Sequence, residues 1–89
     1  MEEFRMAAIQ TISFPKSVKQ LGTQIISVLN AYEAGEVEDN EIIEIMAKWS
    51  RNVPRLFYAP ESKEVNPALS KIIGKKRVGQ ILAMLETEN

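Results

Sequence analysis

The residues with the clearest chemical pattern form the stretch PALSKIIGKKRVGQIL at 67–82. An apolar stretch with helical spacing is followed by Gly74, by three consecutive cations and by a second apolar stretch. A glycine turn of this kind exposes backbone N–H groups at the start of the next helix, where phosphate oxygens bind. Lys75, Lys76 and Arg77 would add positive charge at the same place. We interpret the stretch as a phosphate-contacting turn, although Lys76 replaces the second glycine of helix-hairpin-helix motifs.

The residue types that are missing restrict the chemistry further. The 89 residues include neither Cys nor His, which removes Cys/His zinc sites and Ser-His or Cys-His nucleophile pairs. The usual general base near neutral pH is also absent. We therefore expect a protein that is not an enzyme, with no cofactor and no metal site. The chain shows no signal-peptide pattern and no membrane-length apolar run, so we expect a cytoplasmic protein.

The charges are strongly segregated along the chain, although the net charge is only −1. Residues 33–47 contain six carboxylates and no cation, whereas residues 48–77, the basic segment, contain eight cations and two carboxylates. Proteins that bind nucleic acid gather such cations on one face to contact phosphates. The candidate DNA contacts are the eight cations of the basic segment, Lys48, Arg51, Arg55, Lys63, Lys71, Lys75, Lys76 and Arg77. The alternative is a solvated surface whose acidic and basic halves attract each other.

The acidic residues could in principle hold a hard cation, since carboxylate oxygens are the ligands such ions prefer. The candidates are Glu36, Glu38, Asp39, Glu41 and Glu44. Their spacing lacks the regular positions and the central glycine of an EF-hand loop. We interpret them as a solvated acidic face and predict no metal site.

A short strand is predicted at 9–14, where β-branched and aromatic residues precede Pro15. A strand followed by two helices is also typical of ribbon-helix-helix proteins, which read the DNA major groove from strands paired across a dimer. In that alternative Arg5, Gln10 and Thr11 would face DNA.

Apolar residues at helical spacing predict four helices, at 17–34, 39–52, 66–73 and 75–87. The first helix begins with a capping box formed by Ser17 and Gln20. The third begins with Asn66 as its N-cap and Pro67 at its first position. Gly74 either separates the last two helices or lies inside one long helix, and we favour the separation.

The predicted core joins the apolar stripes of the first two helices. Its central members are Leu21, Ile25, Leu29, Ile42, Met46 and Trp49. Asp39 or Asn40 is expected to cap the second helix. The apolar run 56–58 is either a strand paired with 9–14 or a plug that lies on the core.

Two short motifs lie within this pattern, Tyr-x-x-Gly at 32–35 and Ile-Gly-Lys-Lys-Arg at 73–77. Through these motifs and the acidic helix between them, residues 14–85 resemble a family of small uncharacterised proteins from Gram-positive bacteria and their phages and plasmids. The family has no assigned activity. The resemblance therefore implies a mobile-element context and no catalytic residue.

Together these patterns predict a mainly α single domain over 1–89, with three to four helices and one short N-terminal β-strand, in a helix-turn-helix or winged-helix-like arrangement. We expect a homodimer, because a lone strand edge needs covering and the core is small. The leading hypothesis is a non-catalytic accessory or regulatory protein of a mobile element that binds double-stranded DNA through residues 48–77. The alternative is a protein-interaction module, such as an inhibitor of a host protein, that uses the acidic helix or the exposed strand. Neither hypothesis involves a membrane.

Overall fold

A computed structural model describes residues 11–62 and 64–88 of the chain. Its helices are α1 (Val18–Glu33), α2 (Asp39–Asn52), α3 (Pro54–Phe57), α4 (Pro67–Ile73) and α5 (Lys75–Glu88). The described part of the chain is thus mainly helical, as predicted. It contains no sheet, so the predicted short strand is not seen there. One isolated antiparallel bridge joins Tyr58 to Val65.

The predicted strand at 9–14 is wrong at the positions that the structure describes, since residues 11–14 are irregular; the first two positions lie outside the described residues. The physical reason is that distant side chains occupy the backbone groups that a strand would use. The N–H of Ile12 donates to Gln24 Oε1 at 2.8 Å, and the carbonyl of Ile12 accepts from Trp49 Nε1 at 2.7 Å. Ile12 therefore has no backbone group left to form a ladder.

Without that strand, the ribbon-helix-helix alternative has no ribbon within the described residues. Arg5 and Gln10 lie outside them, and Thr11 is half-buried in irregular structure. The unpaired strand edge was one of the two reasons to expect a homodimer, and the only reason to expect an exposed strand surface. Of the two arguments for self-association, the small core remains.

The start of α1 follows from the predicted capping box. Ser17 Oγ accepts from the N–H of Gln20 at 3.1 Å, and Gln20 Oε1 accepts from the N–H of Lys16 at 2.7 Å. At the other end Gly35 adopts a φ of +83°, which glycine reaches without a steric penalty. The local sequence thus specifies both ends of this helix.

Helix α2 begins at Asp39 as predicted, but its capping residue differs from the prediction. Its N-cap is Glu38, and neither Asp39 nor Asn40 has that role. The N–H of Glu38 donates to Glu41 Oε1 at 3.0 Å, which is one half of a capping box. Carboxylates in this first turn also suit the positive end of the helix dipole.

The hydrophobic core contains the predicted contacts between α1 and α2 and extends to the later helices. The six predicted central residues are all at most 1% exposed. The other buried apolar residues of this cluster are Val28, Val37, Phe57, Val65, Leu69, Ile73 and Ile81. Every helix therefore contributes at least one buried side chain to the same core.

Among the described residues, the run 56–58 does not pair with 11–14, so the alternative of a paired strand is not seen there. Phe57 ends the short helix α3 and is fully buried, as the alternative of a plug on the core predicted. Its carbonyl accepts from the N–H of Asn66 at 2.9 Å, which closes the loop that follows. Asn66 then caps α4, with its side chain accepting from the N–H of Ala68 at 2.9 Å.

Helices α1 and α4 approach each other closely at Gly22. A Cβ atom built on Gly22 would lie only 2.6 Å from Cγ2 of Ile72. Real Cβ atoms essentially never come so near another heavy atom, so the missing side chain is what lets the two helices pack. This contact fixes the position of α4 immediately before the candidate phosphate-contacting turn.

Candidate nucleic-acid interface

The predicted break at Gly74 is present, and one residue separates α4 from α5. The N–H of Gly74 donates to the carbonyl of Ser70 at 2.8 Å, and its carbonyl accepts from the N–H of Val78 at 3.1 Å. Its φ of +91° and ψ of +156° lie in a region that is essentially restricted to glycine. Gly74 therefore ends one helix and starts the next without an intervening loop.

Three exposed lysines surround this break. Lys71 lies in the last turn of α4, and Lys75 and Lys76 lie in the first turn of α5. We call these three side chains the basic turn. No Asp or Glu occurs between residues 65 and 85, so the surrounding sequence brings no carboxylate to neutralise them.

The first turn of α5 concentrates positive charge. Lys75 and Lys76 stand at the positive end of the helix dipole, where cations are unfavourable and anions are favourable. Gly74 has no side chain that could cap this end, and the first turn contains no acidic residue. An anion bound here would therefore relieve repulsion between like charges as well as gain attraction.

Arg77 has a structural role that its sequence position did not indicate. Its side chain is half-buried, and Nη1 donates to the carbonyl of Ile73 at 3.0 Å. The guanidinium thereby satisfies a carbonyl at the end of α4 and complements the negative end of that helix dipole. We therefore leave Arg77 out of the basic turn.

The other predicted contacts are more dispersed. Lys48 and Arg51 are exposed on α2, and Arg55 is exposed on α3. Lys63 lies outside the described residues. Of the eight candidates, Lys71, Lys75 and Lys76 thus flank Gly74 with Arg77 beside them. The other described candidates lie on α2 and α3.

Helices α2 and α5 pack against each other along an extensive contact. Ile43 near the start of α2 lines the same surface groove as Gln80 and Met84 on α5.

That groove, which we call the acidic groove, has a volume of about 380 Å³. Its apolar lining residues are Ile42, Ile43, Ala83 and Met84, and its polar lining residues are Tyr32, Asp39 and Gln80. The Tyr32 hydroxyl donates to Asp39 Oδ1 at 2.7 Å. This hydrogen bond and the negative charge of Asp39 raise the pKa of Tyr32 above its ordinary value.

The comparison with protein families now identifies the chain. The family model named CLB_0814_fam, described as "Conserved hypothetical protein", matches residues 12–86. The chain belongs to this family. This agrees with the uncharacterised conserved family that the sequence motifs predicted.

The CLB_0814_fam range includes both the basic turn and the acidic groove. No curated protein and no solved structure matched the chain. In the described residues of this family member, no helix is long and apolar enough to cross a membrane. The same residues contain no group of three or more acidic side chains placed to hold a metal ion.

Proposed function

We propose that this protein is a DNA-binding accessory or regulatory factor that contacts the phosphates of duplex DNA through the basic turn. The single observation that carries the proposal is that three exposed lysines, Lys71, Lys75 and Lys76, flank Gly74. The stretch contains no carboxylate between residues 65 and 85. Phosphate contacts supply most of the nonspecific affinity for DNA, because each neutralised phosphate releases a counterion.

The local geometry supports phosphates rather than base edges as the target. Lysine is a compact point charge that binds phosphate without the planar fork by which arginine reads guanine. The one arginine near the turn, Arg77, already donates to the carbonyl of Ile73. We therefore propose that this surface positions the protein on DNA and does not select a sequence.

Helices α4 and α5, joined at Gly74, would be the DNA-contacting pair of a helix-turn-helix-like arrangement. The link between them is a single residue, shorter than the three or four residues usual in such motifs. We propose that the first turn of α5 approaches the phosphate backbone with its N-terminal end. Double-stranded DNA as the partner, the cytoplasmic location and the origin in a phage or plasmid belong to the same proposal.

The test is a fluorescence anisotropy titration of a labelled duplex at several salt concentrations. The variant Lys71→Ala/Lys75→Ala/Lys76→Ala removes the basic turn and keeps Arg77 in place. The slope of log affinity against log salt should become shallower by about 0.9 for each lysine that contacts a phosphate. The loss should be equal for unrelated duplex sequences.

The matched control is Lys16→Ala/Lys19→Ala, which removes exposed cations near the start of α1. This control should change the slope less per lysine than the basic-turn variant does. Equal changes per lysine would show that only total charge matters. If the wild type binds no duplex at low salt below ~100 μM, the weak end of nonspecific affinity, DNA binding is rejected. The protein-interaction hypothesis, an inhibitor of a host protein, would then replace it.

A further inference from the structure

The acidic groove has the chemistry of a docking site for a basic, partly apolar surface. Ile42, Ile43 and Met84 give it an apolar lining. Asp39 also lines it, and residues 33–44 hold six carboxylates and no cation. A partner that fits must cover apolar area and bring positive charge.

This molecule carries a surface with those properties at the basic turn. Ile72 lies between Lys71 and Gly74 and remains 39% exposed. The backbone of α1 at Gly22 holds Ile72 in place. Lys71 precedes this exposed aliphatic side chain, and Lys75 and Lys76 follow it within four residues. The segment thus offers apolar area and positive charge, which are complementary to the acidic groove.

We propose that the basic turn of one copy docks into the acidic groove of a second copy, in a head-to-tail contact. Charge complementarity is the argument for this occupant. Within one molecule, Ile72 packs against Gly22 near the start of α1. Tyr32, which lines the groove, lies ten residues later on the same helix, about 15 Å along its axis at 1.5 Å per residue. Ile72 therefore reaches the groove of a second copy and not its own.

The two surfaces are different, so the contact is heterologous and each docked pair retains one free groove and one free basic turn. Association would therefore continue beyond a dimer as concentration rises. It would also occupy the surface proposed for DNA. The inference itself does not rest on DNA binding, because it uses only the exposure and charge of the two surfaces.

The test uses sedimentation velocity on the full chain at low salt. The basic-turn variant is Lys71→Ala/Lys75→Ala/Lys76→Ala. The groove variant is Glu33→Gln/Glu36→Gln/Asp39→Asn, which avoids the capping residues of α2. Concentrations from about 10 μM to about 500 μM bracket the affinity expected of a small transient interface.

The wild type should grow in average mass over this range and return to monomer near 0.5 M salt, because the Debye length shrinks to about 4 Å. Each variant alone should remain monomeric. An equal mixture of the two should form a one-to-one heterodimer and nothing larger, because it contains one intact groove and one intact basic turn.

Three outcomes would overturn the proposal. They are a wild type that stays monomeric at low salt, a variant that associates alone as the wild type does, and a mixture that forms no heterodimer. Thermal unfolding of each variant tests whether a loss of association is only a loss of fold. The control is Glu61→Gln/Glu64→Gln, which changes two charges outside both surfaces. DNA anisotropy on the same samples separates the two proposals, because the groove variant should keep DNA binding while losing self-association.

Discussion

The indole N–H of Trp49 donates a hydrogen bond of 2.7 Å to the main-chain carbonyl of Ile12. The two residues are 37 positions apart in the chain. Asn52, one turn later on α2, makes a similar contact, with Nδ2 donating to the carbonyl of Ser13 at 3.0 Å. The side chains of α2 thus hold the segment before α1 in place without a strand.

The hydrogen bond of Asn52 can be tested with the single tryptophan as the reporter. Asn52→Ala should cost about 0.5–1.5 kcal/mol, the usual net value of one hydrogen bond. Loosening the segment at Ser13 should also make Trp49 more accessible, so iodide should quench its fluorescence more strongly. Asn30→Ala, at an exposed position of α1, is the control and should change neither quantity. Unchanged quenching in Asn52→Ala would contradict the assigned role.

The close approach of α1 and α4 predicts opposite effects for two glycine substitutions. Gly22→Ala places a Cβ 2.6 Å from Cγ2 of Ile72. That atom belongs to a β-branched side chain with little freedom, so the helices must separate at a cost of about 1–3 kcal/mol. Chemical denaturation measures the change.

Gly79→Ala is the matched control within α5. Nothing lies within 4 Å of the added Cβ, and the better helix propensity of alanine should stabilise the protein by up to about 1 kcal/mol. Ile72→Ala introduced together with Gly22→Ala should recover part of the loss. If Gly22→Ala stabilises the protein as Gly79→Ala does, the packing described for α4 is incorrect.

The centre of the core gives a third prediction. Ile25 is fully buried between α1 and the other helices. Ile25→Ala should therefore lower the free energy of unfolding by about 2–5 kcal/mol, the range for large-to-small changes in packed cores. Ser27→Ala, at an exposed position on the same helix, should change it by no more than about 0.5 kcal/mol. Equal melting temperatures for the wild type and Ile25→Ala would contradict this core.

The contact between Tyr32 and Asp39 predicts a shifted phenol titration. The chain has two tyrosines, so Tyr58→Phe leaves Tyr32 as the only phenol, and its absorbance can be followed against pH. The midpoint should lie above the ordinary value of 10.0, because ionising the hydroxyl breaks the hydrogen bond and brings two negative charges together. Adding Asp39→Asn should move the midpoint back toward 10.0.

The same shift fixes the sign of a stability effect. The pKa of Tyr32 is higher in the folded state than in the unfolded chain, so its stabilising contribution is complete below pH 10 and is lost as the pH rises through the folded-state value. Tyr32→Phe should lose less stability than the wild type over that alkaline range. Identical alkaline stability profiles would show that the hydroxyl contact does not form in solution.

The sequence predicted the helices well because their signals are local. The capping box of Ser17 and Gln20, the Asn66–Pro67 start and the break at Gly74 each depend on residues a few positions apart. The strand prediction failed at 11–14 because the groups that replace strand pairing there, on Gln24, Trp49 and Asn52, are distant in sequence. Local β-propensity carries no information about such partners.

The sequence predicted which charged residues belong to the candidate site, but not which groups their side chains contact. Lys75 and Lys76 were predicted at the turn together with Arg77, because they follow Gly74 directly in the sequence. Lys71 was predicted only as one of the eight cations of the basic segment. The role of Arg77 depends on a side chain that turns back to Ile73, and the acidic groove depends on packing between the start of α2 and α5. Neither the Arg77 contact nor this helix packing produces a periodic pattern in the sequence from which it could be predicted.

The separation of charge between the acidic stretch 33–44 and the basic turn also bears on purification. A net charge of −1 and an isoelectric point near 5.5 would suggest that an anion exchanger retains the protein at neutral pH and a cation exchanger does not. A resin, however, responds to the local potential of the surface that faces it, and the stretch 65–85 carries four cations without a carboxylate. The protein should therefore bind weakly to both kinds of resin at low ionic strength, and heparin should retain it despite its acidic isoelectric point.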